Sequence, residues 1–144
     1  MLRADRTGTT LVELVAAIAI VGALAAITLP RVARTLDGIA VHSATTAIAA
    51  ACAVARSAAI MRSTLAVVAI DTAGRRVTVS VGDDTIVAHP LDQPPYRLML
   101  STSRAVIAYG PTGLGFGVAN TSVIARQGAA ADTLYVSRLG RVRH

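Results

Sequence analysis

The sequence has no lysine, no tryptophan and one cysteine, and aromatic side chains make up only 3% of its 144 residues. Because Cys52 is alone, an intrachain disulfide is excluded. The scarcity of aromatic rings argues against a stacking platform for sugars or single-stranded nucleic acid. All 14 basic residues are arginine, and the net charge of +6 favours contact with polyanions and anionic lipid headgroups. A chain of this length holds one small domain besides any membrane span.

Charge is also absent from a long apolar stretch near the N-terminus, between Leu14 and Leu29. Thr9–Leu29 contains 21 residues with Glu13 as its one ionisable group. As a helix this segment is roughly 30 Å long, about the thickness of bilayer hydrocarbon, so it predicts a membrane span. A carboxylate inside a span costs about 2.5–3.5 kcal/mol at the bilayer centre and less near the interface. We therefore expect Glu13 to have a partner.

Two ordinary explanations of this stretch compete with a specialised one. A secretory signal peptide would use Arg3 and Arg6 as its basic start and Ala23–Ala25 as its cleavage site. However, the apolar core of a signal peptide is normally short and uncharged, and here Glu13 lies inside it. A plain transmembrane anchor accounts for the length of the stretch but explains neither Glu13 nor the abrupt boundary at Gly8.

The order of residues resembles the class III signal of type IV pilins and type II secretion pseudopilins. A leader with two arginines ends at Gly8, Glu13 is the fifth residue after it, and Pro30 follows the apolar run. In that family a prepilin peptidase cuts after the glycine, and the fifth residue of the mature chain is glutamate. The resemblance implies processing between Gly8 and Thr9, methylation of the new N-terminus, and roles in assembly for Glu13 and the helix-bending Pro30. The family most often has phenylalanine at the position of Thr9.

Beyond Pro30 the sequence is first helical and then changes its period at Thr64. Apolar residues recur at three- and four-residue steps and predict an amphipathic helix that ends near Met61–Ser63. Its expected buried face consists of Val32, Leu36, Ile39, Ser43, Ala47, Ala50, Val54, Ala58 and Met61. About seven short strands follow, which indicates an antiparallel sandwich or curled sheet. The predicted strands are residues 65–70, 76–81, 85–88, 96–100, 105–109, 120–126 and 133–137. His89–Pro95 is predicted as a loop because its prolines cannot donate to a ladder.

The head also resembles a known family, the minor pseudopilin GspH and its relative FimT among minor pilins. The residues that carry this resemblance are Ala53–Ile60, Tyr109–Gly113 and Val136–Val142. We expect an α+β fold, the pilin-like lollipop, in which a long N-terminal transmembrane and amphipathic helix packs on a β-rich antiparallel head. The predicted divisions are a leader at 1–8, a transmembrane or filament-core helix at 9–29, its amphipathic continuation at 30–63, and a periplasmic head at 64–144.

The resemblance implies a structural subunit and not an enzyme. The implied protein is a minor pseudopilin of the type II secretion system, assembled into a short periplasmic pseudopilus that helps to export folded proteins. It would cross the bacterial inner membrane once, with its C-terminal head in the periplasm. The implied partners are prepilin peptidase, other pseudopilins or pilins, inner-membrane lipid and secreted proteins. The alternative is a FimT-like minor type IV pilin that binds DNA in natural transformation.

Arg138, Arg141 and Arg143 are the candidate polyanion contacts. Gly140–Arg143 resembles the Gly-Arg-x-Arg segment of FimT-like pilins that touch DNA, although similar endings occur in secretion pseudopilins. An exposed, charged terminal strand without a ligand is the plain alternative for these arginines. DNA is therefore an expected partner only under the alternative function.

No constellation of residues predicts catalysis, a cofactor or a metal site. Three histidines are scattered without the spacing of metal ligands: His42, His89 and His144. No serine is surrounded by the glycines of a nucleophile elbow. Gly113–Gly117 looks like a phosphate loop, but a strand is predicted after it, whereas such a loop needs a helix. A calcium site at Asp83, Asp84 and Asp92 is disfavoured because adjacent carboxylates in a hairpin turn are usually only solvated.

Overall fold

The structure is a computed structural model that describes residues 10–91, 98–117 and 120–143. Its contacts divide the chain into two compact units, Met1–Thr35 and Leu36–His144. A single helix, α1 (Leu11–Met61), contains residues of both units. Its end at Met61 agrees with the end predicted from the change of sequence period.

In the first unit the described residues form the N-terminal part of α1. Side chains from Leu11 to Leu29 are exposed apart from the half-buried Ala25. The helix is long and apolar enough to cross a membrane. It continues through Pro30 without a break. Because proline has no backbone N–H, the carbonyl of Ala26 lacks its usual helical donor at that point.

In the second unit the described residues form the later part of α1 and nine strands, which lie in two antiparallel sheets. The strands are β1 (Ala66–Asp71), β2 (Arg76–Val81), β3 (Asp84–Pro90), β4 (Met99–Thr102), β5 (Val106–Tyr109), β6 (Gly115–Phe116), β7 (Thr121–Gln127), β8 (Ala130–Val136) and β9 (Val142–Arg143). The first sheet has the order β3-β2-β1-β5-β6, and the second has the order β4-β7-β8-β9.

Each of the seven predicted strands overlaps a strand of the structure, and β6 and β9 are additional pairs of residues. The predicted loop at His89–Pro95 was wrong at its start, because His89 and Pro90 extend β3 and pair with Val77 and Arg76. Proline is tolerated there because β3 lies at the edge of its sheet, where a missing donor breaks no ladder. Residues 92–95 of that loop lie outside the described residues.

The buried face of α1 differs from the predicted face, of which only Ala58 is buried. Ile39 and Val54, which were expected to be buried, are 60% and 41% exposed. The residues that are buried are Val41, Ala44, Thr45, Ile48, Ala51, Cys52, Ala55, Ala58 and Ala59. The error is about one residue of rotation, or roughly 100°. The face is hard to locate from the sequence because alanine makes this part of the helix apolar on several sides.

The core lies between this face of α1 and the two sheets. Burial alternates along β1, β2 and β7, as expected for strands that have one face on a core. Tyr109, Ile48 and Leu134 are the largest fully buried side chains. The predicted α+β fold, with a long N-terminal helix packed on antiparallel sheets, is confirmed.

Candidate functional site

Glu13 is held by hydrogen bonds within the first turn of α1. Its Oε2 accepts hydrogen bonds from the backbone N–H of Thr10 at 3.0 Å and from the Thr10 hydroxyl at 3.1 Å. In return, Thr10 Oγ1 accepts the backbone N–H of Glu13 at 3.2 Å. This reciprocal pair is a capping box, in which a threonine at the N-cap and a glutamate three residues later satisfy unpaired helix donors. The Thr-x-x-Glu spacing at residues 10–13 is its sequence signal, which our prediction did not use.

The other residues predicted for processing and assembly differ in how far the structure describes them. Gly8 and Thr9 lie outside the described residues, so the processing site stays a prediction. Pro30 lies within α1, with exposed side chains on both sides of it. The role of Glu13 and Pro30 in assembly likewise stays a prediction.

The three predicted polyanion contacts surround the turn between β8 and β9. Arg138 and Arg141 lie in the turn and Arg143 in β9, and all three side chains are exposed. The turn is fixed by hydrogen bonds at both of its ends. Ser137 N–H donates to the Arg141 carbonyl at 2.8 Å, and Ser137 Oγ accepts the Arg141 N–H at 3.1 Å. Arg138 N–H donates to Asn120 Oδ1 at 3.0 Å, which ties the turn to the start of β7.

Gly140 brings this turn against the first sheet. Its φ is +74°, a conformation that favours glycine, and an added Cβ would lie 2.5 Å from Tyr109 Cε1. Both the backbone conformation and the lack of space therefore disfavour a larger residue. The Tyr109 hydroxyl donates to the Gly140 carbonyl at 3.3 Å. A Cβ at Gly115 would lie 2.6 Å from the Arg138 carbonyl oxygen, so β6 also needs glycine at this approach. The segments that carried the head resemblance, around Tyr109 and Gly140, are therefore in contact.

Tyr109 and Cys52 are buried beside this turn. Burial is the main cause that raises the pKa of the Tyr109 hydroxyl, and Cys52 raises it further. Burial also raises the pKa of the Cys52 thiol, with an opposing contribution from Tyr109. Both groups are therefore protonated at neutral pH. A buried, neutral thiol is a poor nucleophile, so this pair serves packing.

Two cavities of about 170 Å³ each lie on either side of Gly140. The Arg56 cavity is lined by Arg56 of α1 together with Arg141. The Arg104 cavity is lined by Arg104, from the connection between β4 and β5, together with Arg138. Within the ranges that the structure describes, none of these four arginines forms an ion pair. Arg56 and Arg104 were missed in the sequence because only the fold brings them beside the C-terminal turn.

Two acidic side chains of the head, Asp84 and Asp132, contact residues outside these two cavities. Asp132 Oδ2 accepts a hydrogen bond from Thr45 Oγ1 at 2.7 Å and lies 3.8 Å from His42 Nδ1. Asp84 Oδ2 lies 3.1 Å from Arg62 Nη1 in an exposed ion pair. Across the described part of the chain, no group of three histidine, cysteine or carboxylate side chains could hold a metal ion. His144 and Asp92 lie outside that part.

A long N-terminal helix whose later half covers two small antiparallel sheets is a pilin-like fold. Among solved structures, the chain is similar to the type IV minor pilin FimU of Pseudomonas aeruginosa strain PAO1 in two crystal forms. One comparison has a TM-score of 0.61 at 14% identity and covers 72% of this chain and 86% of that chain. The other has a TM-score of 0.58 at 15% identity and covers 71% and 90%. No protein-family model matches the chain, and no curated protein sequence matches it.

Proposed function

We propose that this chain is a minor subunit of a pilin-like filament, and not an enzyme. The observation that carries the proposal is the composition and exposure of α1, a helix of 51 residues. Between Leu11 and Leu29 its large apolar side chains are 56–79% exposed. A surface of this kind is covered by lipid or by neighbouring helices. The later part of the same helix belongs to a fold similar to that of a minor pilin.

The filament that we propose is the short periplasmic pseudopilus of a type II secretion system, where the subunit would help to export folded proteins. The resemblance of the head to GspH supports this choice, whereas the N-terminal signal is common to pseudopilins and type IV pilins. Before assembly, the subunit would lie in the bacterial inner membrane with its head in the periplasm. The second candidate is a FimT-like minor type IV pilin that binds DNA, favoured by the exposed arginines around Gly140.

Deletion of the gene in its source bacterium separates the two candidates. Loss of exoprotein secretion with normal DNA uptake supports the secretion pseudopilus. Loss of DNA uptake or of pili with normal secretion supports the second candidate. Complementation with the wild-type gene is the control, and a deletion that changes neither process contradicts both.

Processing by prepilin peptidase is tested by co-expression and intact-mass measurement of the membrane-purified chain. The proposal expects loss of eight residues, with Thr9 as the new N-terminus. Gly8→Val should block the cut, whereas Gly8→Ala should only slow it. An inactive peptidase is the control. A cut after Ala25 would instead identify an ordinary signal peptide.

The capping box sharpens the test of Glu13 as an assembly charge. We propose that, on assembly, Glu13 meets the new α-amine at Thr9 of a neighbouring subunit. Glu13→Gln removes the charge but keeps a residue that can complete the box, whereas Glu13→Ala removes both. Thr10→Ala weakens the box and keeps the charge.

Crosslinking to co-expressed pilins or pseudopilins reads out these variants. A docking charge predicts that Glu13→Gln assembles as poorly as Glu13→Ala while Thr10→Ala assembles well. A purely helix-capping role predicts the reverse order, with Glu13→Gln close to wild type. Processing and membrane insertion should stay unchanged in all three variants.

The second candidate is tested by titrating the full chain in nonionic detergent with duplex DNA at several salt concentrations. If Arg138, Arg141 and Arg143 contact phosphates, replacing each should lower the salt slope by about 0.9. Absence of binding at low salt to both duplex and single-stranded DNA would remove this candidate. Binding that disappears near physiological salt would show only that the head is basic.

A further inference from the structure

The one phenylalanine of the chain lies in the Arg104 cavity. Phe116 is on β6, is 68% exposed, and lines this cavity with Arg104 and Arg138. The low aromatic content argued against a stacking platform for single-stranded nucleic acid, but one exposed ring is enough to stack one base. Phe116 therefore shares this cavity with two arginines that form no ion pair within the described residues.

Glycines surround Phe116 and leave its ring uncovered. Gly115 precedes it, and Gly117 follows it with a φ of +96°, so neither neighbour in the chain adds a side chain. Across the strand connection, a Cβ at Gly110 would lie 3.8 Å from Phe116 Cδ2. Phe116 pairs with Ala108 of β5, and the other edge of β6 has no partner strand among the described residues. The backbone of Phe116 is therefore held by β5, and its side chain is open to a ligand.

The Arg104 cavity has room for a ligand group and not only for a solvent molecule. Its volume is about 170 Å³, whereas one water needs roughly 10–15 Å³ of the same kind of space. Guanidinium groups are suited to phosphate, because their donors match its oxygens. The Arg56 cavity, across Gly140, offers a second pair of arginines. Successive anionic groups of one chain can therefore be held on both sides of the turn.

We infer that the Arg104 cavity binds a nucleotide of single-stranded nucleic acid, with its base stacked on Phe116 and its phosphate on Arg104 and Arg138. The next phosphates follow the turn to Arg56 and Arg141. A duplex keeps its bases stacked inside and offers none to the ring, and an acidic peptide uses the arginines without the ring. The inference rests on the second candidate function, since it names the form of nucleic acid. It does not depend on the proposed secretion pseudopilus.

The full chain in nonionic detergent is titrated, by fluorescence anisotropy, with an oligothymidylate of about 12 nucleotides. An abasic oligonucleotide with the same phosphates and a duplex of the same length are the comparison ligands. Stacking of one base predicts that oligothymidylate binds about 5- to 150-fold more tightly than the abasic strand. Phe116→Leu should remove this difference and leave abasic binding unchanged, whereas Phe116→Tyr should keep it.

Arg104→Gln should weaken binding of both single strands and lower the salt slope by about 0.7, the value for one phosphate contact on a single strand. The matched control is Arg126→Gln, an exposed arginine near the far end of β7. This control should leave the slope unchanged. Equal melting temperatures of the variants and the wild type confirm folding. If Phe116→Leu does not fold, Phe116→Tyr still shows whether a variant that retains an aromatic ring also retains the preference for oligothymidylate.

Each contrary result has a distinct meaning. Equal affinity for oligothymidylate and the abasic strand overturns stacking on Phe116. Duplex binding that is as tight as single-strand binding overturns the inference but leaves the second candidate function standing. Absence of all nucleic-acid binding removes both. If a polyglutamate peptide displaces the strand with no effect of Phe116→Leu, the cavity belongs to an acidic protein partner and the inference is wrong.

Discussion

Residues 11–29 and 41–59 of α1 are both mostly apolar, but their large apolar side chains differ in exposure. In the first stretch Ile18 and Ile20 are 64% and 62% exposed, whereas Val41 and Ile48 in the second are 2% and 0% exposed. The second stretch has two sheets against one of its faces, and the first has none within its own unit. An apolar composition therefore indicates that a helix face will be covered, but it does not indicate whether a sheet, a neighbouring helix or lipid covers it.

The largest expected effect compares isoleucines of the two stretches. Ile48→Ala removes buried methyl groups and leaves a cavity, so the free energy of unfolding of the head should fall by about 2–5 kcal/mol. Ile18→Ala should change it by less than about 0.5 kcal/mol. Thermal unfolding of the full chain in detergent, followed by circular dichroism, measures both. Equal losses would mean that Ile18 packs on the head, against the comparison.

Glycines give a second matched pair. Gly140→Ala forces a left-handed φ on alanine and presses its Cβ against Tyr109, and it should cost about 2–4 kcal/mol. Gly22→Ala meets no atom within 4 Å, and it should be neutral or slightly stabilising. Thermal unfolding of the full chain in detergent, followed by circular dichroism, measures both variants. A tolerated Gly140→Ala would show that the C-terminal turn can move away from Tyr109.

Threonines give a third pair of smaller size. The exposed Thr35 hydroxyl donates to the Arg31 carbonyl of its own helix, whereas the buried Thr45 hydroxyl donates to Asp132 Oδ2. Thr45→Val should cost about 1.5–3 kcal/mol, because it removes a hydrogen bond to a charged group. Thr35→Val should cost less than about 0.5 kcal/mol. Similar costs for the two would contradict the importance of the Asp132 contact.

The smallest expected effect is at the surface of the head. Arg62 and Asp84 form an ion pair whose side chains are 47% and 62% exposed. Asp84→Asn should therefore cost about 0.2–1 kcal/mol at low salt, and less at high salt because of screening. Asp83→Asn, in the adjacent turn, is the control. A loss above 1 kcal/mol that salt does not reduce would show a role beyond the ion pair.

Element types could be predicted from the sequence wherever one period dominates. The strict alternation of Arg76–Val81 predicted β2 at its observed bounds, and helical spacing predicted α1 to within two residues of its end. The buried face of α1 could not be found in this way, because the partner that satisfies Thr45 is Asp132, 87 positions away in the chain. The two-residue strands β6 and β9 are too short to show any period.

The candidate sites likewise differ in whether their residues are near or distant in the sequence. The capping box was readable, since Thr10 and Glu13 are three residues apart and no tertiary contact is needed. The two arginine cavities were not, since Arg56 and Arg104 come from elements distant in sequence from Arg138 and Arg141. The importance of Phe116 depends on its exposure and on the glycines around it, which become meaningful only in three dimensions.

Within the described residues, four strands lie at the edges of the two sheets, and they offer little unpaired backbone to a neighbouring copy of the chain. β6 and β9 have two residues each, β4 has four, and the longer β3 ends at Pro90, which has no donor. Unpaired strands of greater length are templates on which identical chains polymerise into cross-β aggregates. Neighbouring heads held at high local concentration would find little backbone for such pairing. Their surfaces are therefore free to vary in sequence without risking a sheet that runs from one copy into the next.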